Sequence, residues 1–128
     1  MPVANSLAQL PKLSMAQFFR AATVLFILCL FTVGSLPAAG HAFPGTMHIV
    51  AHLSAYALIA FSFGMGWQNI HAIIIAVAIA SIGFIHELTE IITHNHEFEI
   101  GDVFINSLGA VIGTLLLIVV RMIRKNAA

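Results

Sequence analysis

Charged side chains are scarce in this chain. Its 128 residues include five Lys and Arg and five Asp and Glu, 8% of the total, whereas about a quarter of the residues in a soluble domain are charged. Hydrophobic residues make up 60%, and the mean hydropathy is +1.02. This composition excludes an ordinary soluble domain and indicates an integral membrane protein. The length allows one domain, and the formal net charge of +0 argues against a nucleic-acid partner.

Cysteine is nearly absent as well. Cys29 is the single cysteine, which excludes an intrachain disulfide and a cysteine-based metal motif. A free cysteine inside an apolar run is typical of a small buried hydrophobic side chain. The chain also lacks a nucleophile elbow and a phosphate-binding loop, so catalysis is disfavoured. One catalytic alternative stays open, in which paired carboxylates act with His52 or Tyr56 on an envelope lipid and Glu87 is the general acid or base.

Four stretches are long and apolar enough to cross the hydrocarbon core, which takes about 20 residues. They run over residues 18–36, 46–66, 70–92 and 102–120. We therefore predict an all-α fold, a four-helix transmembrane bundle that occupies residues 18–121. Residues 1–17 are expected to be a cytoplasmic or interfacial segment, and residues 122–128 a basic tail.

The basic residues predict the orientation of the bundle. Lys12 and Arg20 lie before or at the start of the first stretch, and Arg121, Arg124 and Lys125 follow the fourth. Since cytoplasmic loops carry the excess of Lys and Arg, both termini are expected in the cytoplasm. The predicted location is the cytoplasmic membrane, with lipid as the surrounding partner.

Polar and small residues recur at helical spacing in three of the four stretches. In chain order they are His48, His52 and Tyr56 in the second stretch, Gly83, Glu87, Glu90 and His94 in the third, and Asp102, Asn106, Gly109 and Gly113 in the fourth. Each set lies on one helix face. The second stretch starts, the third ends and the fourth starts on the same side, so we expect the polar residues to gather there. The three glycines are expected to let neighbouring helices approach closely.

These acids need a counter-charge. All five carboxylates fall between Glu87 and Asp102, and no Lys or Arg lies within that stretch. A carboxylate taken out of water must be neutralised by a partner or a proton. The candidates for this neutralising group are a protonated His, a bound metal, a proton on the acid itself, or a basic residue from another subunit. Glu87 lies deepest, so we expect it to be the acid most readily held in its neutral form.

Three short segments carry a family resemblance. They are residues 52–56, with His52 and Tyr56 at the ends, residues 87–90, with a Glu at each end, and residues 102–113, which hold the Asp, Asn and two Gly named above. Over about residues 46–118 the chain resembles the VanZ-like family of small membrane proteins. The resemblance implies a fold and a place in the cell envelope, with a link to glycopeptide-type antibiotic tolerance and no firmly attached reaction.

The chain departs from the VanZ-like pattern at its cationic positions. The family Lys falls on Ile49, the Asp before it on His48, and the usual loop Arg on His96. Glu90 stands where the family has Gln. Loss of the two cations weakens the expectation of an anionic ligand, because phosphate and carboxylate sites use Lys or Arg.

Three functions are compatible with these residues. The first is a non-catalytic accessory or assembly subunit of a membrane complex, with other membrane-protein subunits as partners. The second is an envelope protein linked to antibiotic tolerance or lipid handling. In both, the predicted role is a hydrogen-bond and charge network that locks three helices and presents one face to a ligand or partner. The network residues are His52, Tyr56, Glu87, Glu90, Asp102 and Asn106.

The third function is metal binding by imidazole and carboxylate side chains. Such ligands suit zinc, copper or iron, and several of the residues are paired at i, i+4. The segment from His86 to Glu90 is not the HExxH protease motif, because Glu90 occupies the second His position. The candidate ligands are His48, His52, His86, Glu90, His94 and His96.

Overall fold

The structure, a computed structural model, contains four helices and describes residues 13–38, 44–94 and 97–127, without the side chain of His94. The helices are α1 (Met15–Gly34), α2 (Thr46–Gly66), α3 (Ala72–His94) and α4 (Ile100–Ala127). Each is long and apolar enough to cross a membrane, so the prediction of an all-helical fold with four helices of membrane-spanning length is confirmed. His96 and most of the predicted segment 1–17 lie outside the described residues.

The helix ends differ from the predicted spans where polar residues extend a helix. α1 begins three residues early because Ser14 and Gln17 form a capping box, in which each side chain bonds the backbone N–H of the other residue at 3.2 and 2.9 Å. α4 continues through the predicted basic tail to Ala127. Arg124 and Lys125 lie in its last turn, where cations complement the helix dipole.

α2 is the central helix of the bundle. It packs against α1, α3 and α4, and its most extensive contact is with α4. α1 packs mainly on α2, touches α3 slightly, and makes no contact with α4 within the described residues. Alternate helices of this up-and-down arrangement run in the same direction, so α2 and α4 are parallel neighbours.

The bundle presents its large apolar side chains outward. Ile92 is 84% exposed and Phe104 71% exposed, while the small buried core includes Tyr56, Ile79 and Leu117. An outward apolar face is expected for helices in lipid. Cys29 belongs to this outer surface: its side chain is exposed, so the prediction of a buried cysteine was wrong. The reason is that α1 contacts the bundle through one face only.

Two glycines of α4 let it lie against the backbone of α2. A methyl group at Gly109 would stand 2.5 Å from the Leu53 carbonyl oxygen, and one at Gly113 would overlap the Ala57 carbonyl. Gly83 of α3 makes a similar approach to the side chain of Asn106, where a methyl group would lie 2.8 Å from Cβ. Close contact at these small residues fixes the three helices at short separation.

The basic residues that the structure describes lie at one end of the bundle, which we call the arginine end. Arg20 Nε of α1 donates to the Gly66 carbonyl at 2.9 Å, and Arg121 of α4 donates to the Gly64 and Ile70 carbonyls at 2.7 and 3.1 Å. The guanidinium of Arg20 also lies 5.5 Å from the ring centre of Trp67. The bonds to Gly64 and Gly66 satisfy carbonyls that the C-terminus of α2 leaves unpaired. Together with the bond to Ile70, they tie α1 and α4 to the end of α2 and the α2–α3 turn.

Candidate functional site

The opposite end of the bundle, which we call the acidic end, begins with two hydrogen bonds between α2 and α4. His48 Nε2 lies 2.8 Å from Asp102 Oδ2, and one turn deeper His52 Nδ1 lies 2.8 Å from Asn106 Oδ1. Both pairs are separated by 54 positions in sequence. The same register in successive turns follows because the two helices are parallel and each presents residues at i, i+4 on the facing side.

Asn106 connects this pair of helices to α3. Its Nδ2 lies 3.5 Å from Glu87 Oε1, a long hydrogen bond, while its Oδ1 faces His52. Asn106 is fully buried and Glu87 is 1% exposed. A buried amide with both ends engaged satisfies most of its hydrogen-bonding capacity and fixes its own orientation. Three helices therefore meet at one side chain.

His86 and Glu90 form a second polar group on α3, beneath the end of α1. The His86 ring is buried, meets Phe31 edge-on at 5.4 Å, and its Nε2 lies 3.8 Å from Glu90 Oε1. A methyl group at Gly34 would overlap the same imidazole. The ring centres of His86 and His52 are 6.0 Å apart. The two polar groups are therefore neighbours inside the bundle.

Tyr56 lies deepest in this region. Its ring extends from the Gly109 side of α4 to Gly83 of α3, where a methyl group would come within 3.3 Å of Cε1. The residue is fully buried, and its hydroxyl has no hydrogen-bond partner among the described residues. Buried hydroxyls are nearly always paired, so this group is available to a water or a ligand.

An open groove of about 420 Å³ leads from the apolar surface to this polar region. α1 and α2 provide mostly apolar walls, with Phe26, Leu30 and Leu58 among them, and His86 and Glu90 of α3 contribute to the lining. His48 and His52 also line it. One part of the groove is therefore apolar, and the other part meets the imidazoles and one carboxylate of the acidic end.

The residues predicted from sequence assemble only partly as expected. The six predicted network residues lie in the same region, with direct links between His52 and Asn106 and between Asn106 and Glu87. The predicted metal ligands separate into two groups that also recruit Asp102 and Glu87. One group is His48, His52 and Asp102, and the other is His86, Glu87 and Glu90. Of the remaining candidates, His96 and the side chain of His94 lie outside the described residues.

Several contributors were missed in the sequence. Gly34 and Phe31 of α1 cover His86, although nothing in their sequence context marks them. Thr23 and Ser62 form a buried hydrogen bond of 3.0 Å between α1 and α2. The sequence could have indicated this contact, because each of the two apolar helices carries a hydroxyl side chain there. No Lys or Arg lies at the acidic end among the described residues, which agrees with the charge segregation.

No protein-family model matches the chain, and no curated protein or solved structure matches it either. The groove and the polar residues at its end are therefore the features that point to function.

Proposed function

We propose that this chain is a VanZ-like, non-catalytic protein of the cell envelope that binds a membrane amphiphile in the groove between α1 and α2. One observation carries the proposal: the groove has apolar walls and ends at His52, His86 and Glu90. Ligand pockets typically combine predominantly apolar walls with a few fixed polar groups, and about 300–1,000 Å³ is their usual size.

The groove suits a lipid because its two parts match the two parts of an amphiphile. An acyl or isoprenoid chain would contact Phe26, Leu30 and Leu58, while the headgroup would meet imidazole and carboxylate groups. Since no Lys or Arg lies at this end among the described residues, a headgroup that donates hydrogen bonds, such as a hydroxyl or an ammonium, fits the protein groups better than a bare phosphate.

A matched pair of Ala→Phe variants tests lipid binding. Ala51 lines the groove, whereas Ala21 is an exposed residue of α1 that does not. Purified wild type and variants would be analysed by native mass spectrometry in detergent, before and after addition of phosphatidylethanolamine, phosphatidylglycerol or a prenyl alcohol. We expect Ala51→Phe to lose the retained lipid and Ala21→Phe to keep it. Equal retention by the two variants would contradict the proposal.

A second role, as an accessory subunit of a membrane complex, is favoured by the charge imbalance. Glu87 and Asp102 are buried, and a neighbouring subunit could bring the cation that the described part of the acidic end lacks. Native gel migration after mild solubilisation would test it. Co-migration with a second membrane protein is the expected result; a sharp monomeric band without a co-purifying protein would count against the role.

The proposed orientation places both termini in the cytoplasm and the acidic end outside. It is supported by Arg20, Arg121, Arg124 and Lys125, which all belong to the helix ends at the arginine end. In a bacterial host, a green fluorescent protein fused after residue 128 should fluoresce, and an alkaline phosphatase at the same position should be inactive. The reverse pattern would overturn the orientation and place the groove's polar end inside.

A further inference from the structure

We propose that His48, His52 and Asp102 form a binding site for a divalent transition metal of the zinc class. The three side chains come from α2 and α4, and one ligand atom from each lies within 4.8 Å of the other two. Around tetrahedral zinc, with bonds of about 2.0–2.2 Å, ligand atoms are about 3.3–3.5 Å apart. His48 Nε2 and Asp102 Oδ2 already lie 2.8 Å apart, so these two ligands face each other across the proposed site.

The hydrogen bond of His52 prepares that side chain to bind a metal. Asn106 Oδ1 can only accept, so His52 Nδ1 carries the proton and Nε2 keeps its lone pair. Asn106 is held in this orientation because its Nδ2 points at the Glu87 carboxyl. Metal-binding histidines commonly donate their other ring N–H to an oxygen in this way, which fixes the tautomer and the ring plane.

The charges of the site also suit a divalent cation. Asp102 is 5% exposed and has His48 as its neighbour. His48 Nε2 and Asp102 Oδ2 lie in hydrogen-bonding contact at 2.8 Å. A metal would bond to both groups and supply the positive charge that is missing from the described part of the acidic end.

Three protein ligands leave one position of a tetrahedral metal open. Sites of this kind bind a water or a substrate atom there. His48 and His52 line the groove, so the open position would be reached from the groove, and an oxygen of a bound headgroup could occupy it. The metal site itself does not depend on the proposed lipid, since all three ligands belong to the chain.

The second group, His86, Glu87 and Glu90, is the weaker candidate. Its members lie on one helix, and the adjacent residues 86 and 87 project about 100° apart around it. It has one imidazole instead of the two of the first group. Imidazole-rich sites are preferred by zinc, copper and nickel.

Metal binding can be measured on the full chain in detergent micelles without added lipid. Co²⁺ would be titrated and its visible absorption recorded, and Zn²⁺ would be counted by elemental analysis after equilibrium dialysis. We expect one metal per chain. His52→Ala and Asp102→Asn should each weaken binding at least tenfold, and Asn106→Ala should weaken it about 10- to 100-fold, as loss of a supporting hydrogen bond does.

Two variants provide the controls. His71 is exposed near the start of α3, at the arginine end, so His71→Ala should bind metal like wild type; His86→Ala should also retain it. The proposal is overturned if wild type binds no stoichiometric metal, if His71→Ala and His52→Ala lose it equally, or if binding depends on His86 and not on His52. His52→Gln, checked by its melting curve, replaces His52→Ala if that variant fails to fold.

Repeating the lipid-retention measurement with a chelator present separates failure of the metal site from failure of the groove.

Discussion

Replacing Gly109 by Ala tests the close contact between α2 and α4. The added methyl group would stand 2.5 Å from the Leu53 carbonyl oxygen and 2.9 Å from Tyr56 Cβ, whereas ordinary contact begins at 3.4 Å. The two helices must therefore separate by about 0.9 Å at this point. Neither obstacle is the end of a flexible side chain, so local rotation cannot remove the overlap.

The expected loss of stability combines packing and hydrogen bonding. Overpacking of a tight core destabilises by about 1–3 kcal/mol. Separation of the helices would also stretch the His48–Asp102 and His52–Asn106 bonds, now 2.8 Å, and an interhelical bond in a membrane protein contributes about 0.6 kcal/mol on average. Part of this loss is offset, because Ala is about 0.5–1 kcal/mol more favourable than Gly inside a helix. We expect Gly109→Ala to lower the free energy of unfolding by about 1–3 kcal/mol.

Reversible unfolding in mixed micelles of a mild detergent and dodecyl sulfate would measure this change. Circular dichroism reports helix content, and the single tryptophan, Trp67, reports the arginine end by fluorescence. Gly101→Ala is the matched control, because Gly101 lies in the first turn of α4 with nothing within 4 Å of the added methyl group. That variant should be as stable as wild type or slightly more so. If the two variants unfold at the same denaturant fraction, the close contact does not limit stability.

Two further pairs of substitutions test the two ends of the bundle. Arg121→Met keeps the length of the side chain and removes the donors to the Gly64 and Ile70 carbonyls, so it should lower the unfolding free energy by about 1–2 kcal/mol. Arg124→Met is the control, because Arg124 is exposed on the last turn of α4. An equal loss of stability in the two variants would refute the role of Arg121 in binding these carbonyls. Asp102→Ala removes the partner of His48 and should lower the melting temperature in detergent, whereas Glu87→Gln preserves shape and should be tolerated if the buried acid is already neutral. The opposite ranking of Asp102→Ala and Glu87→Gln would show that Glu87 is the charged member of the network.

The helices and the grouping of polar residues were predictable because both depend on short-range patterns. Runs of about 20 apolar residues identify spans, and the four-residue spacing of His48, His52 and Tyr56 places them on one face. Their meeting with Asp102 and Asn106 follows from the up-and-down order of the helices. The same reasoning placed the basic residues at one end.

The contacts within the site were not predictable from those patterns. The pairing of His48 with Asp102 depends on how far α4 is shifted along α2. That shift is set by the close contacts of Gly109 and Gly113 with the α2 backbone. The cover that Gly34 provides for His86 depends on where α1 docks. Periodicity gives the face of a helix but not its axial position against a neighbour, so it could not divide the four described candidate ligands, His48, His52, His86 and Glu90, between the two groups in which they lie.

The place of Asn106 in the chain has a consequence for biogenesis. Asn106 contacts both His52 and Glu87, yet it belongs to α4, which is synthesised after the helices that carry those two residues. While the ribosome is still producing α4, the imidazole and the carboxyl are already committed to the bilayer without their amide partner. The network can therefore close only when the fourth helix has been inserted. Until that moment the imidazole of His52 and the carboxyl of Glu87 lack the amide that links them in the finished bundle, and a polar group in lipid without a partner is costly.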